Sequence, residues 1–217
     1  FRCRIRFRSM YFRMVIMEKR VVITGMGAIT PLGNNVETLW NNLINGACGI
    51  DYITRIDTSD LPVKIAAEVK DFDPIQYGVD AAFARRNDLF AIYAMAASIE
   101  AMKGNEGCFD PERLGVYGGS GEGGFDTILK EIVKWKEKGE KWVSPLLIPS
   151  MISNIAAGNI AIRHNACGVC VPIVTACATG THSIGEAYRA IKHGYADAII
   201  TGGSEAAVNP ISIAGFA

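Results

Sequence analysis

Four short runs of β-branched and aliphatic residues constrain this chain most. Each ends on a glycine or another small residue, and each is followed by a turn or a helical stretch. The runs are Arg20–Thr24 ahead of Gly25-Met26-Gly27, Leu114–Tyr117 ahead of Gly118–Gly124, Val169–Thr175 ahead of Ala176-Cys177, and Ala198–Thr201 ahead of Gly202-Gly203. Runs this short and apolar predict buried strands. Their alternation with helices predicts an α/β layered fold. The spacing predicts helices over 36–45, capped by Asn34 or Asn35 and stopped at Gly46, and over 87–103, where Leu89, Ile92, Ala96, Ile99 and Met102 recur at helical intervals. Further helices are expected from the Gly118–Gly124 loop to about Lys138, over the small-residue stretch 153–162 that follows Ser144-Pro-Leu-Leu-Ile-Pro, and from about Ala178 to His193 with Gly194 as its stop. Lys64–Val69 reads as a short strand. The helix after Cys177 is expected to pack through Ile184, Tyr188 and Ile191.

Charge divides the chain in two. Acidic and basic residues balance at 22 each, but residues 1–16 hold five Arg and no acid, so 17–217 carries a net charge of −5. A mildly acidic body gives no global signal for nucleic acid. The basic head 1–16 reads as a targeting peptide, as a membrane or nucleic-acid arm, or as sequence outside the fold, since Met17 opens Met-Glu-Lys-Arg-Val-Val as a natural start. It is set apart from the domain at 17–217. No apolar run approaches the ~20 residues of a membrane span.

The six cysteines come with no evident secretory signal, so a reducing, cytoplasmic compartment is expected and a disulfide framework is not. Cys167-Gly-Val-Cys170 is a lone CxxC with no second pair to complete a zinc site. No metal site is expected.

Cys177 is the sharpest local feature. A strand ends, the cysteine follows, and a helix begins, in Val171-Pro-Ile-Val-Thr-Ala-Cys177-Ala-Thr-Gly-Thr-His-Ser. That order sets the sulfur beside the positive end of a helix, near backbone N–H groups without helical partners. Both favour the thiolate, and the same N–H groups can serve an oxyanion. Spacing alone leaves a buried, inert cysteine equally open.

The segment Thr175-Ala-Cys177-Ala-Thr-Gly-Thr-His-Ser-Ile-Gly-Glu-Ala187 resembles the active-site segment of β-ketoacyl-[acyl carrier protein] synthases of the KAS II type. The resemblance runs through Arg20–Asn34, Asp57-Thr-Ser, Arg85–Phe90, Gly118–Gly124, Ser144-Pro with Ile148-Pro-Ser150, and Ile200–Glu205. It implies a thiolase-like layered αβαβα fold, present here as the N-terminal half and incomplete. It further implies a homodimer joined through the strand before the nucleophile, and acyl-ACP and malonyl-ACP as partners, with no nucleic acid or membrane. The implied chemistry is a decarboxylative Claisen condensation through a Cys177 acyl-enzyme, with no dissociable cofactor. The family's histidine motifs, one Asn-Ala-His-Gly-Thr-like and one Gly-His-like, do not occur, and His164, His182 and His193 do not match them. Condensation by these 217 residues alone is therefore not expected.

The resemblance also assigns substrate-binding positions. Phe216 falls where a family aromatic lines the acyl pocket, and Leu147 and Ile148 where the partner subunit contributes to its floor. Glu122 stands where the Gly-rich loop commonly carries an apolar residue beside the acyl tunnel. Either its carboxylate resists a long alkyl chain, or the loop turns it to solvent or to a partner.

Three other readings compete. A non-catalytic partner subunit would usually lack the cysteine. A nucleotide-binding domain is suggested by Gly25-x-Gly27, but position 30 is Thr and the 118–124 loop lacks a Gly-Lys-Ser/Thr ending. A thiolase would place its nucleophile earlier and in another motif.

Overall fold

The computed structural model describes residues 19–217. The basic head 1–16 lies outside them. Three of the four anticipated strands form one parallel sheet. β3 (Leu114–Gly119) lies between β4 (Cys170–Val171) and β5 (Ala198–Gly203). Its register with β5 runs from Leu114↔Ala198 to Gly119↔Gly203, and Val116 pairs with Cys170. Arg113 sets that register. Its guanidinium grips Asp197 through two donors at 3.0 and 3.2 Å and donates to the carbonyls of Gly194 and Tyr195.

Side chains alternate across a strand, so the two faces of β3 take different helices. Val116 packs on Ala157 and Ile160 of α6 (Ile155–Arg163). Gly119 faces Thr179 at the start of α7 (Thr179–Lys192). α3 (Leu89–Met102) lies outside α6 and brings Phe90 and Ala91 against Ala156. Three more of its buried residues, Ile92, Met95 and Ala96, close a second cluster with Val79, against which Phe83 of α2 (Ala81–Arg86) packs. A small antiparallel pair, β1 (Ile50–Tyr52) and β2 (Ile65–Ala67), stands apart from the main sheet. Asn35 caps α1 (Val36–Ile44) by accepting from Thr38 N at 2.7 Å, and Trp40, Leu43 and Ile44 of that helix are all exposed.

Several expectations need correction. Arg20–Thr24 forms no strand, and Val22 and Ile23 are 60% and 78% exposed. The segment is drawn to α3 instead. Asn105 donates to the Thr24 carbonyl, and Gly25 and Gly27 lie so close to the Ala101 and Ala97 carbonyls that a Cβ at either would overlap them. The strand expected over 169–175 is paired only at Cys170–Val171. The helix expected to about Lys138 is α4 (Phe125–Lys138), and the small-residue helix expected over 153–162 is α6; the lead-in before it forms a short helix of its own, α5 (Leu147–Met151), which the sequence reading did not mark. α7 packs through its small residues, Thr179, Ser183, Ala187 and Ala190, while Ile184 and Tyr188 are exposed. α8 (Pro210–Phe216) was not anticipated, although Asn209-Pro210 is a strong start signal: Asn209 accepts from Ser212 N at 2.9 Å, and proline suits the first turn.

His164, at the end of α6, sits 3.1 Å from the Ser98 hydroxyl of α3. That hydroxyl also lies 2.8 Å from the Met95 carbonyl, which it can reach only as a donor, so the imidazole Nε2 is the donor to Ser98. Burial pushes the imidazole below its usual range, Arg163 adds to this, and Glu106 opposes it. A depressed histidine favours the folded state above the unfolded value of about 6.5 and loses that contribution as pH falls through the folded value. The melting temperature is expected to fall more steeply below pH 6.5 in the unaltered chain than in His164→Gln. Parallel melting curves would sink this.

Candidate active site

The sulfur sits on a tight elbow. Ala176 adopts a left-handed backbone at φ +51°, a conformation that costs a non-glycine residue energy and that clusters at functional sites. The Ala178 N–H returns to the Thr175 carbonyl at 3.0 Å and the Thr179 N–H to Ala176 at 3.1 Å. The Thr179 hydroxyl accepts from Thr175 N at 2.9 Å, which closes the turn. α7 then begins with no side-chain cap on its first N–H groups. Cys177 is exposed, which removes the reading of a buried structural thiol.

Glycines bring the elbow to the sheet. A Cβ on Gly119 would stand 2.2 Å from the Ile173 carbonyl oxygen, and one on Gly203 would stand 2.9 Å from Gly180 in the first turn of α7. Only bare backbone lets the ends of β3, β5 and α7 meet this closely. The small residues on both sides of Cys177 serve this contact.

Glu205 lies in the Ile200–Glu205 motif with no role legible from the sequence, and it organises the loop. One carboxylate oxygen accepts from Ser120 Oγ at 2.9 Å, and the other from the backbone N–H groups of Gly121 and Glu122 at 2.8 and 3.1 Å. The buried Ser120 hydroxyl accepts in turn from Gly123 N at 2.8 Å. The loop after β3 is thus wrapped around an internal anion, a nest of the kind that elsewhere binds phosphate. Gly121 also faces the Ala176 carbonyl, with its Cβ direction 3.5 Å from that oxygen. The clamped loop and the elbow therefore touch.

The other assigned positions lie on elements tied to this loop. Gly124 N donates to the Met151 carbonyl at the end of α5, the helix of Leu147 and Ile148. Glu122 is half-buried, and its carboxylate accepts from the Ser212 hydroxyl of α8 at 3.0 Å. α8 ends in Phe216. Leu147 borders a shallow apolar groove with Ile128, Trp135 and Met151, while Ile148 and Phe216 are 58% and 78% exposed. The loop is thus tied to α5 at Met151 and to α8 at Ser212, the helices that carry Leu147, Ile148 and Phe216 elsewhere along their length, while the Ile148 and Phe216 side chains themselves are exposed. A cavity of about 800 Å³ lies elsewhere, between residues 27–31, 67–71, Tyr93 and 203–208, and Cys177 is not among its lining residues. It is walled by Arg55, whose guanidinium pairs with the buried Asp126.

Other candidates assemble less. Cys167 and Cys170 are both exposed, and desolvation pushes the Cys170 thiol up, away from the reactive thiolate. Among the described residues, no group of three or more His, Cys, Asp or Glu could hold a metal ion, and no helix is long and apolar enough to cross a membrane.

The model of the β-ketoacyl synthase N-terminal domain matches residues 18–217. The 3-oxoacyl-[acyl-carrier-protein] synthase 2 of Staphylococcus aureus (strain COL) is 47% identical over 204 residues, covering 92% of this chain and 49% of that protein. The chain therefore spans about half the length of such relatives. Among solved structures, the ishigamide ketosynthase/chain length factor superposes with a TM-score of 0.80 at 27% identity, over 90% of this chain and 49% of the other. A type II polyketide ketosynthase solved in complex with its acyl-carrier protein gives 0.74 at 25% identity, over 90% and 52%. The layered architecture is accordingly thiolase-like, and the chain belongs to the β-ketoacyl synthase family, of which it carries the N-terminal domain.

Proposed function

We propose that Cys177 is the acyl-accepting nucleophile of a condensing enzyme of fatty acid biosynthesis, and that this domain supplies the acyl-transfer half of its reaction. The observation that carries the reading is the exposed sulfur on a strained elbow directly ahead of an uncapped helix start. In the first step the sulfur attacks the thioester carbonyl carbon of acyl-ACP. The bond from that carbon to the carrier's sulfur breaks, and the carrier leaves as its thiol. In the second, malonyl-ACP loses CO₂ and its carbanion attacks the Cys177 thioester. The new carbon–carbon bond expels the Cys177 thiolate and gives 3-oxoacyl-ACP, two carbons longer. The uncapped N–H groups at the start of α7 are suited to the oxyanion of the first step. Decarboxylation needs groups that the resemblance places outside this domain, so these residues alone are expected to acylate and not to condense.

The names of the relatives support the substrate class, and the solved complex of a similar ketosynthase with its carrier protein supports ACP as partner. Homodimerisation is supported by β4, an edge strand of the described sheet with one side unpaired. A nucleotide-binding reading is disfavoured because the loop N–H groups that would meet a phosphate already hold Glu205.

Incubation with an acyl-pantetheine thioester is expected to add one acyl mass to the peptide containing Cys177, and Cys177→Ala is expected to abolish that adduct. Undiminished acylation of Cys177→Ala would sink the reading and leave a domain that binds only.

A further inference from the structure

The four residues of the elbow, Thr175–Ala178, are all exposed, whereas Thr179 behind them is 4% exposed. An exposed turn that carries a left-handed alanine needs something rigid to enforce it. Thr179 is the buried residue that closes this one. Its N–H donates to the Ala176 carbonyl at 3.1 Å and its hydroxyl accepts from the Thr175 N–H at 2.9 Å, so it holds both residues ahead of the sulfur. The other branch of the same side chain faces β3. A Cβ on Gly119 would stand 3.3 Å from the Thr179 methyl. Two heavy atoms on Cβ leave a side chain few rotamers, so a methyl seated at Gly119 fixes where the hydroxyl points. The central strand thereby reaches the elbow through one side chain.

We propose that Thr179 is a positioning residue for acylation: its hydroxyl, aimed by the methyl seated on β3, holds Thr175 and so keeps the Cys177 sulfur in line with the start of α7. This rests on the reading of Cys177 as the acyl acceptor. Position matters there because N–H groups stabilise an oxyanion only at hydrogen-bond distance, and the field of a helix end fades within its first turn. A displacement of about 1 Å in such a site can cost roughly a hundredfold in rate. The fold itself gives up little without the hydroxyl, since Thr175 is exposed and water can take its N–H. Loss of the bond therefore acts on the reaction more than on stability.

The test uses two pairs in the intact 217-residue chain, each differing only in the hydroxyl: the unaltered Thr179 against Thr179→Val, and Thr179→Ser against Thr179→Ala. Acylation by hexanoyl-pantetheine and alkylation by iodoacetamide are both read by mass at the Cys177 peptide, with the exposed Cys48 and Cys108 as internal references. Alkylation forms no oxyanion, so it reports access to the sulfur and not its alignment. Thr179→Ser is expected to acylate within about threefold of the unaltered chain, and the valine and alanine variants about tenfold or more slowly at saturating thioester, with the half-saturating concentration unchanged. Alkylation of Cys177 is expected to stay within about twofold in all four. The serine and alanine variants crowd nothing, so that pair decides the matter even where Thr179→Val fails to fold. Equal acylation of Thr179→Ser and Thr179→Ala would overturn the role of the hydroxyl. Alkylation that falls in step with acylation would overturn it too, since a turn that has merely come apart slows both. Alkylation of Cys177 in the unaltered chain without any acylation would instead overturn the acyl-acceptor reading, and the proposal with it.

Discussion

Glu205→Ala is expected to lower the stability of this chain by about 2–3 kcal/mol and to slow acylation of Cys177 by at least about tenfold. The carboxylate accepts three hydrogen bonds, two of them from consecutive backbone N–H groups that have no other partner given by the fold. Bonds to a charged acceptor contribute about 1.5–3 kcal/mol each, but they are not additive, and Glu205 is exposed enough for water to replace part of what is lost. That sets the estimate near the value of one strong bond. For a chain of this size it corresponds to a melting shift of roughly 5–10 °C. The effect on acylation follows from geometry. The clamped loop abuts the Ala176 carbonyl, and Ala176 holds an unfavourable left-handed conformation only while its surroundings enforce it. When the loop slackens, the elbow is free to relax and the sulfur drifts from its place ahead of α7. Glu205→Gln separates charge from shape. Its amide oxygen can face the Gly121 and Glu122 N–H groups while its amide nitrogen donates to Ser120, so it is expected to lose less than half of what the alanine variant loses. Thermal melts and Cys177 adduct rates on both variants decide this. Equal melting temperatures for Glu205→Ala and the unaltered chain would mean that the loop holds its shape without the clamp.

How much of this was legible beforehand depends on whether a feature needs a distant partner. Helix α3 and the caps at Asn35 and Gly194 are local: spacing and capping chemistry decide them within a few residues, and they stand where the sequence places them. The strand at 20–24 is the opposite case. Four consecutive β-branched residues there, Val21–Thr24, say that the run is suited to a ladder, but a strand exists only if an edge accepts it. β5 lies at the edge of the described sheet and is not hydrogen-bonded to this run. What held the segment instead was glycine contact with α3, and two bare Cα positions carry no signal of what they will touch. α7 teaches the same point. Its larger apolar residues, Ile184 and Tyr188, attract attention in the sequence, yet the buried face is the small one, because the approach to β5 at Gly180 and Gly203 is too close for anything bigger.

The site divides along the same line. Cys177 is legible because a strand, a cysteine and a helix follow one another without a gap, and each supplies part of the chemistry. Glu205 is 83 residues from the backbone it grips at Glu122, and nothing in Gly202-Gly-Ser-Glu205 announces the partner. A signal was present all the same. A carboxylate just past the end of a strand, within a glycine-rich turn and with no basic residue beside it, is placed to meet backbone donors, and the nearest loop of free N–H groups in a parallel sheet is the one at the end of the neighbouring strand. Glu122 was seen as an anomaly from sequence with two outcomes open. The half-buried bond to Ser212 removes the one in which the side chain points to solvent.

The close approach of β3 to the elbow makes the largest single effect calculable from backbone alone. Gly119→Ala is expected to cost about 3 kcal/mol or more and to abolish acylation of Cys177 in whatever folded fraction remains. The new methyl group would lie 2.2 Å from the Ile173 carbonyl oxygen and 3.1 Å from its carbon, with the Thr179 methyl at 3.3 Å on the other side. Both obstacles belong to the segment that carries the sulfur. The oxygen is backbone and cannot rotate away, so β3 and residues 173–179 must part by about an ångström, against the packing of an interior as dense as a crystal. That displacement acts on the turn in which Ala178 and Thr179 close on Thr175 and Ala176. The same substitution elsewhere in the chain supplies the control. A Cβ on Gly158 of α6 or on Gly185 of α7 meets nothing within 4 Å, and neither residue has a positive φ. Alanine there removes a helix-destabilising residue and is expected to stabilise by up to about 1 kcal/mol. Identical chemistry should therefore act with opposite sign, at Gly119 through overlap and at Gly158 and Gly185 through chain entropy. Urea melts and Cys177 adduct formation on the three variants measure it. A Gly119→Ala protein as stable and as readily acylated as the Gly185→Ala protein would mean that β3 and the elbow do not meet as described, and the account of how the fold holds Cys177 would fail with it.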